Sequence, residues 1–229
     1  MPEQSPRIEV GNIIESDKRA EKERAWKSRL KELDHITDGL GEGIDENIKE
    51  VVAAFSVNGL NTLQSCEGHG KPYRSTPWVW IEAPDEPDIK YIREKEVLDE
   101  VAERYGMPNE DKAWEENEVA WMEASKLLEQ NGKTPEFKAW QSENKRLRKI
   151  TEELLTEFYV GHSADPATRI ILQDEGGFDA FKAHNDGEDY DLTEELDEKQ
   201  KNGLEKRLLK YREEMESFGK FLKEKYFSG

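Results

Sequence analysis

The sequence predicts an α+β protein: a small, mostly antiparallel sheet of about four strands, an inserted helical lobe and a long C-terminal helix. Three observations predict it. Short segments rich in β-branched and aromatic residues come in two pairs, near residues 60–83 and 168–184, each pair joined by turn-forming residues. Between the pairs, from Ile89 to about Tyr159, the pattern is helical. An isolated strand pair is marginal in water, so the two pairs read as one sheet divided by an insertion. The expected organisation is an N-terminal arm and surface helix over 1–38, a core over 39–84 plus 165–190, inserted helices over 85–164 and a C-terminal helix over 191–229.

Taken in order, residues 1–14 read as extended or disordered, and Ser16 opens a charged helix to about Asp34 whose inward positions are Ala25, Trp26 and Leu30. Gly39, Gly41 and Gly43 break it. Asp45 is placed to cap the next helix, Glu46 to Asn58, where Ile48, Val51, Val52 and Phe55 fall at i, i+3, i+4 and i+7. Asn58-Gly59 suits a left-handed helix end. Leu60 to Cys66 reads as a strand, Glu67 to Pro72 as a turn-rich loop, and Pro77 to Ala83 as a second strand closed by Pro84 and Pro87. Gly106-Met107-Pro108 and Gly132-Lys133-Thr134-Pro135 cut the helical stretch into three pieces, with Pro135 at a first helical position. The third piece carries an inward stripe of Phe137, Trp140, Leu147, Leu154 and Phe158, and Trp114, Trp121 and Trp140 read as core. Thr168 to Gln173 and Phe178 to His184 form a hairpin around Asp174 to Gly177. From Thr193 to about Tyr226 runs a helix whose Leu204, Leu208, Tyr211, Met215, Phe218 and Leu222 step by 4, 3, 4, 3, 4. That heptad-like seam packs on its own domain or, alternatively, pairs two copies as a homodimer.

Composition excludes several classes. The 229 residues hold 34 Lys plus Arg against 52 Asp plus Glu, a net charge of −18. Such a field opposes non-specific binding of nucleic acid or anionic lipid. No apolar run reaches the roughly 18 residues of a membrane span, and Met1 to Pro6 lacks the basic and apolar regions of a signal peptide. One cysteine, Cys66, permits no intrachain disulfide, so a cytoplasmic location is expected. Lys145 to Lys149 reads as a solvated basic helix face. Asp186, Glu188, Asp189 and Asp191 form an acidic loop without calcium-loop spacing. Phosphate-loop, dinucleotide, Gly-x-Ser-x-Gly and His-Glu-x-x-His motifs are absent.

Reactive side chains crowd into Thr62-Leu63-Gln64-Ser65-Cys66-Glu67-Gly68-His69-Gly70. The lone cysteine stands three residues before one of only four histidines. Gly68 and Gly70 let the backbone turn tightly. Three kinds of chemistry fit. Cys66 can be a nucleophile with His69 as base and Glu67 as orienter. Cys66 and His69 can be two ligands of a metal, zinc being the first choice, with the rest of the set drawn from His35, His162, His184 or nearby carboxylates. Or the loop binds a polar ligand through backbone N–H groups, with Thr62, Ser65, Gly68 and Lys71 assisting. Trp78 and Trp80 would wall the pocket, and His184 or His35 would add a third polar group. The structural alternative makes Cys66 a small buried hydrophobe and His69 a loop residue bonded to backbone.

The Asn61-Thr62-x-x-Ser65-Cys66-Glu67-Gly68-His69 string resembles that of a family of uncharacterised bacterial proteins. Those carry a Gly-rich segment with an acidic residue (here Gly39 to Asp45), a helix, the string itself and a Pro-Trp strand (here Pro77 to Ile81). The resemblance covers about 70 residues and implies a site without naming a reaction. Ser65, Cys66 and Gly68 are also similar to the Ser-Cys-Ser-Gly-Arg string of the tRNA-wybutosine methyltransferase family, from which Glu67 and His69 depart. The expectation is a cytoplasmic protein with a small-molecule or catalytic pocket at the Ser-Cys-Glu-Gly-His loop. The alternative is an acidic helical scaffold in which the loop only knits the sheet.

Overall fold

The computed structural model describes residues 7–37, 41–69, 76–176, 178–187, 189 and 196–229, with side chains from Asp17 onward. The fold is α+β. Seven helices, α1 (Arg7–Leu33), α2 (Glu46–Val57), α3 (Glu94–Tyr105), α4 (Asp111–Glu116), α5 (Glu118–Asn131), α6 (Pro135–Gly161) and α7 (Glu198–Ser228), accompany strands β1 (Thr62–Cys66), β2 (Trp78–Ile81), β3 (Ile170–Glu175) and β4 (Ala180–Asn185) among the described residues. The strands form one antiparallel sheet in the order β1-β2-β4-β3. The two hairpins are thus joined through β2 and β4, with Trp78 opposite His184 and Ile81 opposite Phe181.

The chain divides into two compact units, residues 1–82 with 147–229, and residues 83–146. In the first, α2 is the central helix. Ile48, Val51, Val52, Ala53, Ala54 and Phe55 are all buried. Gly219 of α7 lets that helix approach closely, since a Cβ there would lie 2.9 Å from Val51 Cγ2. Phe218 meets Phe55 at 5.7 Å and Phe158 of α6 at 5.3 Å between ring centroids, so α2, α6 and α7 share one aromatic knot. All six residues of the α7 seam are buried within this chain. The second unit holds α3, α4, α5 and the start of α6 around Val97, Val101, Trp114, Ala124 and Leu128. There Ala83 is clasped by Asn144, whose Oδ1 accepts its N–H at 2.6 Å, and by Trp140, whose Nε1 donates to its carbonyl at 2.9 Å.

Several expectations change. Helix α1 begins at Arg7 rather than Ser16, so residues 7–14 are helical and not extended. Its buried positions are Trp26 and Leu33, while Ala25 is exposed. The inserted stretch forms four helices, not three, because Asn117 caps α5 by accepting from Ala120 N. The compact insertion ends at Arg146, with the second half of α6 belonging to the sheet-bearing unit. Leu155 takes the buried place expected of Leu154, and Trp121 is 48% exposed, not core. Asp189, in the acidic loop, is buried, and both Arg207 and Tyr211 hydrogen-bond its carboxylate. Arg146, Arg148 and Lys149 pair with acids, as a solvated face does. Gly39, Gly70, Lys71, Glu188, Asp191 and Thr193 lie outside the described residues. No helix among the described residues is long and apolar enough to cross a membrane.

Candidate functional site

Strand β1 is an edge strand that ends at Cys66, which pairs in register with Trp78. The chain then turns at once. Gly68 sits at φ +78°, a left-handed conformation that side-chain-bearing residues seldom adopt. The turn brings its own N–H to within 3.4 Å of Cys66 Sγ as a donor. It is also packed without slack, since a Cβ on Gly68 would lie 2.8 Å from Leu208 Cδ1 and 2.8 Å from the carbonyl carbon of Thr76.

Two carboxylates hold this turn against α2, and each serves the other's segment. Asp45 occupies the position before α2, yet its side chain makes no capping bond to that helix. Its Oδ2 accepts instead from the Glu67 N–H at 3.0 Å and faces His69 Nε2 at 3.2 Å. Glu67, from the turn, reaches back: its Oε2 accepts from the Asn47 N–H at 3.1 Å. That satisfies one of the unpaired donors at the start of α2 and sets a negative group at the positive end of the helix. Glu67 Oε1 also accepts from Arg212 Nη2 at 3.1 Å. The same guanidinium donates to two carbonyls of the turn, Glu67 O at 3.0 Å from Nε, and Gly68 O from Nη2. One arginine of α7 therefore fixes where the backbone of the turn points.

The outcome is a convergence of unlike donors. One ligand atom each of Asp45, Cys66 and His69 lies within 4.8 Å of the others. Cys66 is buried, at 4% exposure, whereas the His69 and Asp45 side chains are about one-third exposed. A hydrogen bond from Nε2 to Asp45 leaves His69 Nδ1 as the nitrogen with the lone pair. All three line a cleft of about 780 Å³. Its other walls include Arg29 and Leu33 of α1, Thr62 and Ser65 of β1, and Trp78.

Sulfur, nitrogen and oxygen donors of this kind suit a borderline-soft divalent ion, zinc above all. Bonds of roughly 2.0–2.3 Å to a tetrahedral ion place two ligand atoms about 3.5 Å apart. Donors already within 4.8 Å reach that spacing by side-chain movement of about 1 Å.

The expected residues are placed as follows. Cys66 and His69 come together, and Thr62, Ser65 and Trp78 line the same cleft. Trp80 is on the same strand face as Trp78 but does not line the cleft: its Nε1 donates to Glu82 at 3.1 Å, while Lys182 Nζ covers both rings, 4.8 Å from Trp78 and 4.9 Å from Trp80. Glu67 does not orient His69; Asp45 does. Neither His184 nor His35 supplies the third group. His184 is buried with Nδ1 donating to the Asn185 carbonyl at 2.9 Å. His162 belongs to a separate network, with Nε2 2.8 Å from Glu214 Oε2 and Tyr159 donating to Oε1 at 2.8 Å. Burial, before the hydrogen bonds around it, pushes the Tyr159 hydroxyl well above its ordinary range. Sequence reasoning treated Asp45 only as a cap and passed over Arg212 and Arg29. The signal available for Asp45 was its place at the end of the Gly-rich segment Gly39 to Asp45, as one of the carboxylates that could complete a ligand set. Compared with protein-family models, with curated proteins and with solved structures, the chain matches none.

Proposed function

We propose that the cleft is a small-molecule site built on a zinc-type ion held by Asp45, Cys66 and His69. The observation that carries this is the convergence of three different donors, from segments 22 residues apart, on the wall of one cleft. Three protein ligands leave a fourth position open, the arrangement of catalytic rather than structural zinc. A bound ion would supply a Lewis acid for an oxygen of water or substrate. The chain's own residues do the rest. Asp45 is anchored by the Glu67 N–H, which fixes its carboxylate beside His69. Gly68 N–H steadies the sulfur. Arg212 and Glu67 keep the turn from relaxing. Trp78 gives the cleft an apolar wall, and Thr62 and Ser65 offer hydroxyls.

A second reading makes Cys66 a nucleophile with His69 as base and Asp45 as orienter. The 3.2 Å approach of Asp45 to His69 and the Gly68 donor on Sγ favour it. The scaffold reading is weakened, because the seam meant for a partner is packed into this chain.

Metal content decides between the first two. Protein purified without chelator or affinity metal is expected to hold about one zinc per chain by mass spectrometry, and Asp45→Ala, Cys66→Ala and His69→Ala are each expected to lose most of it. Equal metal content in all four proteins overturns the zinc site. Metal-free wild type with rapid alkylation of Cys66, slowed by His69→Ala, supports the nucleophile.

A further inference from the structure

Among the described residues lining the cleft, Arg29 is the one cationic arginine or lysine. It stands on α1, away in sequence from the ligand trio, and its commitments are few. Nη1 donates to Glu32 at 3.3 Å, an i, i+3 pair whose glutamate is 57% exposed. Such pairs hold weakly in water. Its Nε is buried and has no acceptor, so the protein does not use up the donors of this guanidinium. The side chain is 26% exposed and lines the cleft, so its outer part is what an anion there can reach. The guanidinium fork matches carboxylate and phosphate oxygens better than any other common group. A cleft of about 780 Å³ falls within the roughly 300–1,000 Å³ that encloses small molecules. The chain's charge of −18 repels anions at long range, and Glu42 and Asp45 also line this cleft. An anion admitted here therefore needs a fixed cation at short range.

We infer that the molecule bound in this cleft is a small organic oxyanion, a carboxylate or phosphate, whose charged group Arg29 receives while its remaining atoms reach Asp45, Cys66 and His69 beside Trp78. This deepens the proposed function and rests on its reading of the cleft as a ligand site, but it depends on Arg29 and not on the ion. Phenyl phosphate and benzoate, with phenol as the neutral control, are titrated calorimetrically into wild type, Arg29→Gln and Arg29→Lys, and zinc content is measured in the same preparations. The expected result is binding of at least one anion to wild type, no binding of phenol, a loss of tenfold or more in Arg29→Gln and a smaller loss in Arg29→Lys, with zinc unchanged in both variants. Arg29→Lys keeps the reading falsifiable if Arg29→Gln fails to fold, because it retains the charge and removes Nε. Anion affinity that is equal in wild type and variants, or absent from wild type, overturns the inference. If that happens while wild type holds zinc, the zinc site stands and the oxyanion falls. Arg29-dependent anion binding to a metal-free wild type leaves the oxyanion standing and removes the zinc.

Discussion

Gly68→Ala should cost far more than its single methyl group suggests, and the structure contains its own control. Gly68 and Gly59 both sit at φ +78°. An alanine in that left-handed conformation costs about 1–2 kcal/mol at either position. Around Gly59 nothing lies within 4 Å of an added Cβ, so the backbone cost stands alone. Around Gly68 the methyl would meet Leu208 Cδ1 at 2.8 Å, Thr76 C at 2.8 Å and Pro77 N at 2.9 Å. Two of those three atoms are backbone and cannot rotate aside. Overpacking of this kind adds about 1–3 kcal/mol, so Gly68→Ala should lose about 2–5 kcal/mol in all. Urea unfolding by circular dichroism measures both variants, with the slope m confirming that only stability has changed. Equal losses for Gly59→Ala and Gly68→Ala would refute the close packing of the turn against Thr76 and Pro77.

Other outcomes follow from named contacts. Glu67→Ala should destabilise by about 2–4 kcal/mol, because it leaves the Asn47 N–H without its acceptor and takes the carboxylate from Arg212, which keeps only the Glu67 and Gly68 carbonyls; Glu67→Gln should recover part of that in the same urea titration, whereas a proton-transfer role for Glu67 would leave both variants equally inactive. Gly219→Ala should cost about 1–3 kcal/mol, by driving a methyl into Val51, and Val51→Ala in the same chain should recover part of it. Asp189 has two opposed influences: burial raises its pKa, but hydrogen bonds from Arg207 and Tyr211 outweigh burial and hold it below the ordinary range. Its contribution should therefore be complete above the unfolded aspartate value of about 3.9 and fade as pH falls through the lower folded value, a slope that Asp189→Asn removes from thermal melts. Tyr211 runs the other way. Burial first, then its bond to Asp189, pushes its hydroxyl from 10.0 to about 12. That stability should be complete below pH 10, lost as pH rises through 12, and missing from the alkaline limb of Tyr211→Phe.

The parts of the fold legible in the sequence are those where apolar type and position agree. Helix α2 declares itself because one face is unbroken Ile, Val and Phe. The α7 seam does so for the same reason. Helix α6 is less legible because its inward stripe is partly polar. Gln141, Asn144 and Thr151 are buried on it. Asn144 is satisfied by Ala83 N, and Thr151 Oγ1 donates to the Leu147 carbonyl at 2.9 Å. A reading by apolar period skips such positions and drifts, which is how Leu154 stood in for Leu155. The start of α1 was obscured because residues 1–14 offer only a short apolar touch, at Ile8, Val10, Ile13 and Ile14, although β-branching costs a helix only tenths of a kcal/mol, about 0.7 at most. The burial of Asp189 has no local signal, because its neighbours in sequence are acidic while Arg207, which makes burial tolerable, comes 18 residues later.

The site teaches a different lesson, through two carboxylates that exchange duties. By local rules Asp45 is the helix cap and Glu67 the neighbour of the imidazole. In the fold each does the other's task. A self-capped Asp45 would stabilise α2 and nothing else. The crossed arrangement gives a bond in each direction, Glu67 N–H to Asp45 and Asn47 N–H to Glu67, so the helix start and the turn hold one another. Arg212, 145 residues beyond Glu67, adds a third tie from α7. Tertiary contacts of that range leave no local pattern. What the sequence does carry is the consequence. A short acid before α2, a longer one after the cysteine and a glycine next to it are the residues this crossing requires. Asp45→Asn keeps an acceptor for the Glu67 N–H and removes the charge facing His69. It should therefore leave the fold nearly intact while lowering zinc content at least tenfold, and a variant that instead unfolds would make the Asp45 carboxylate structural before it is chemical.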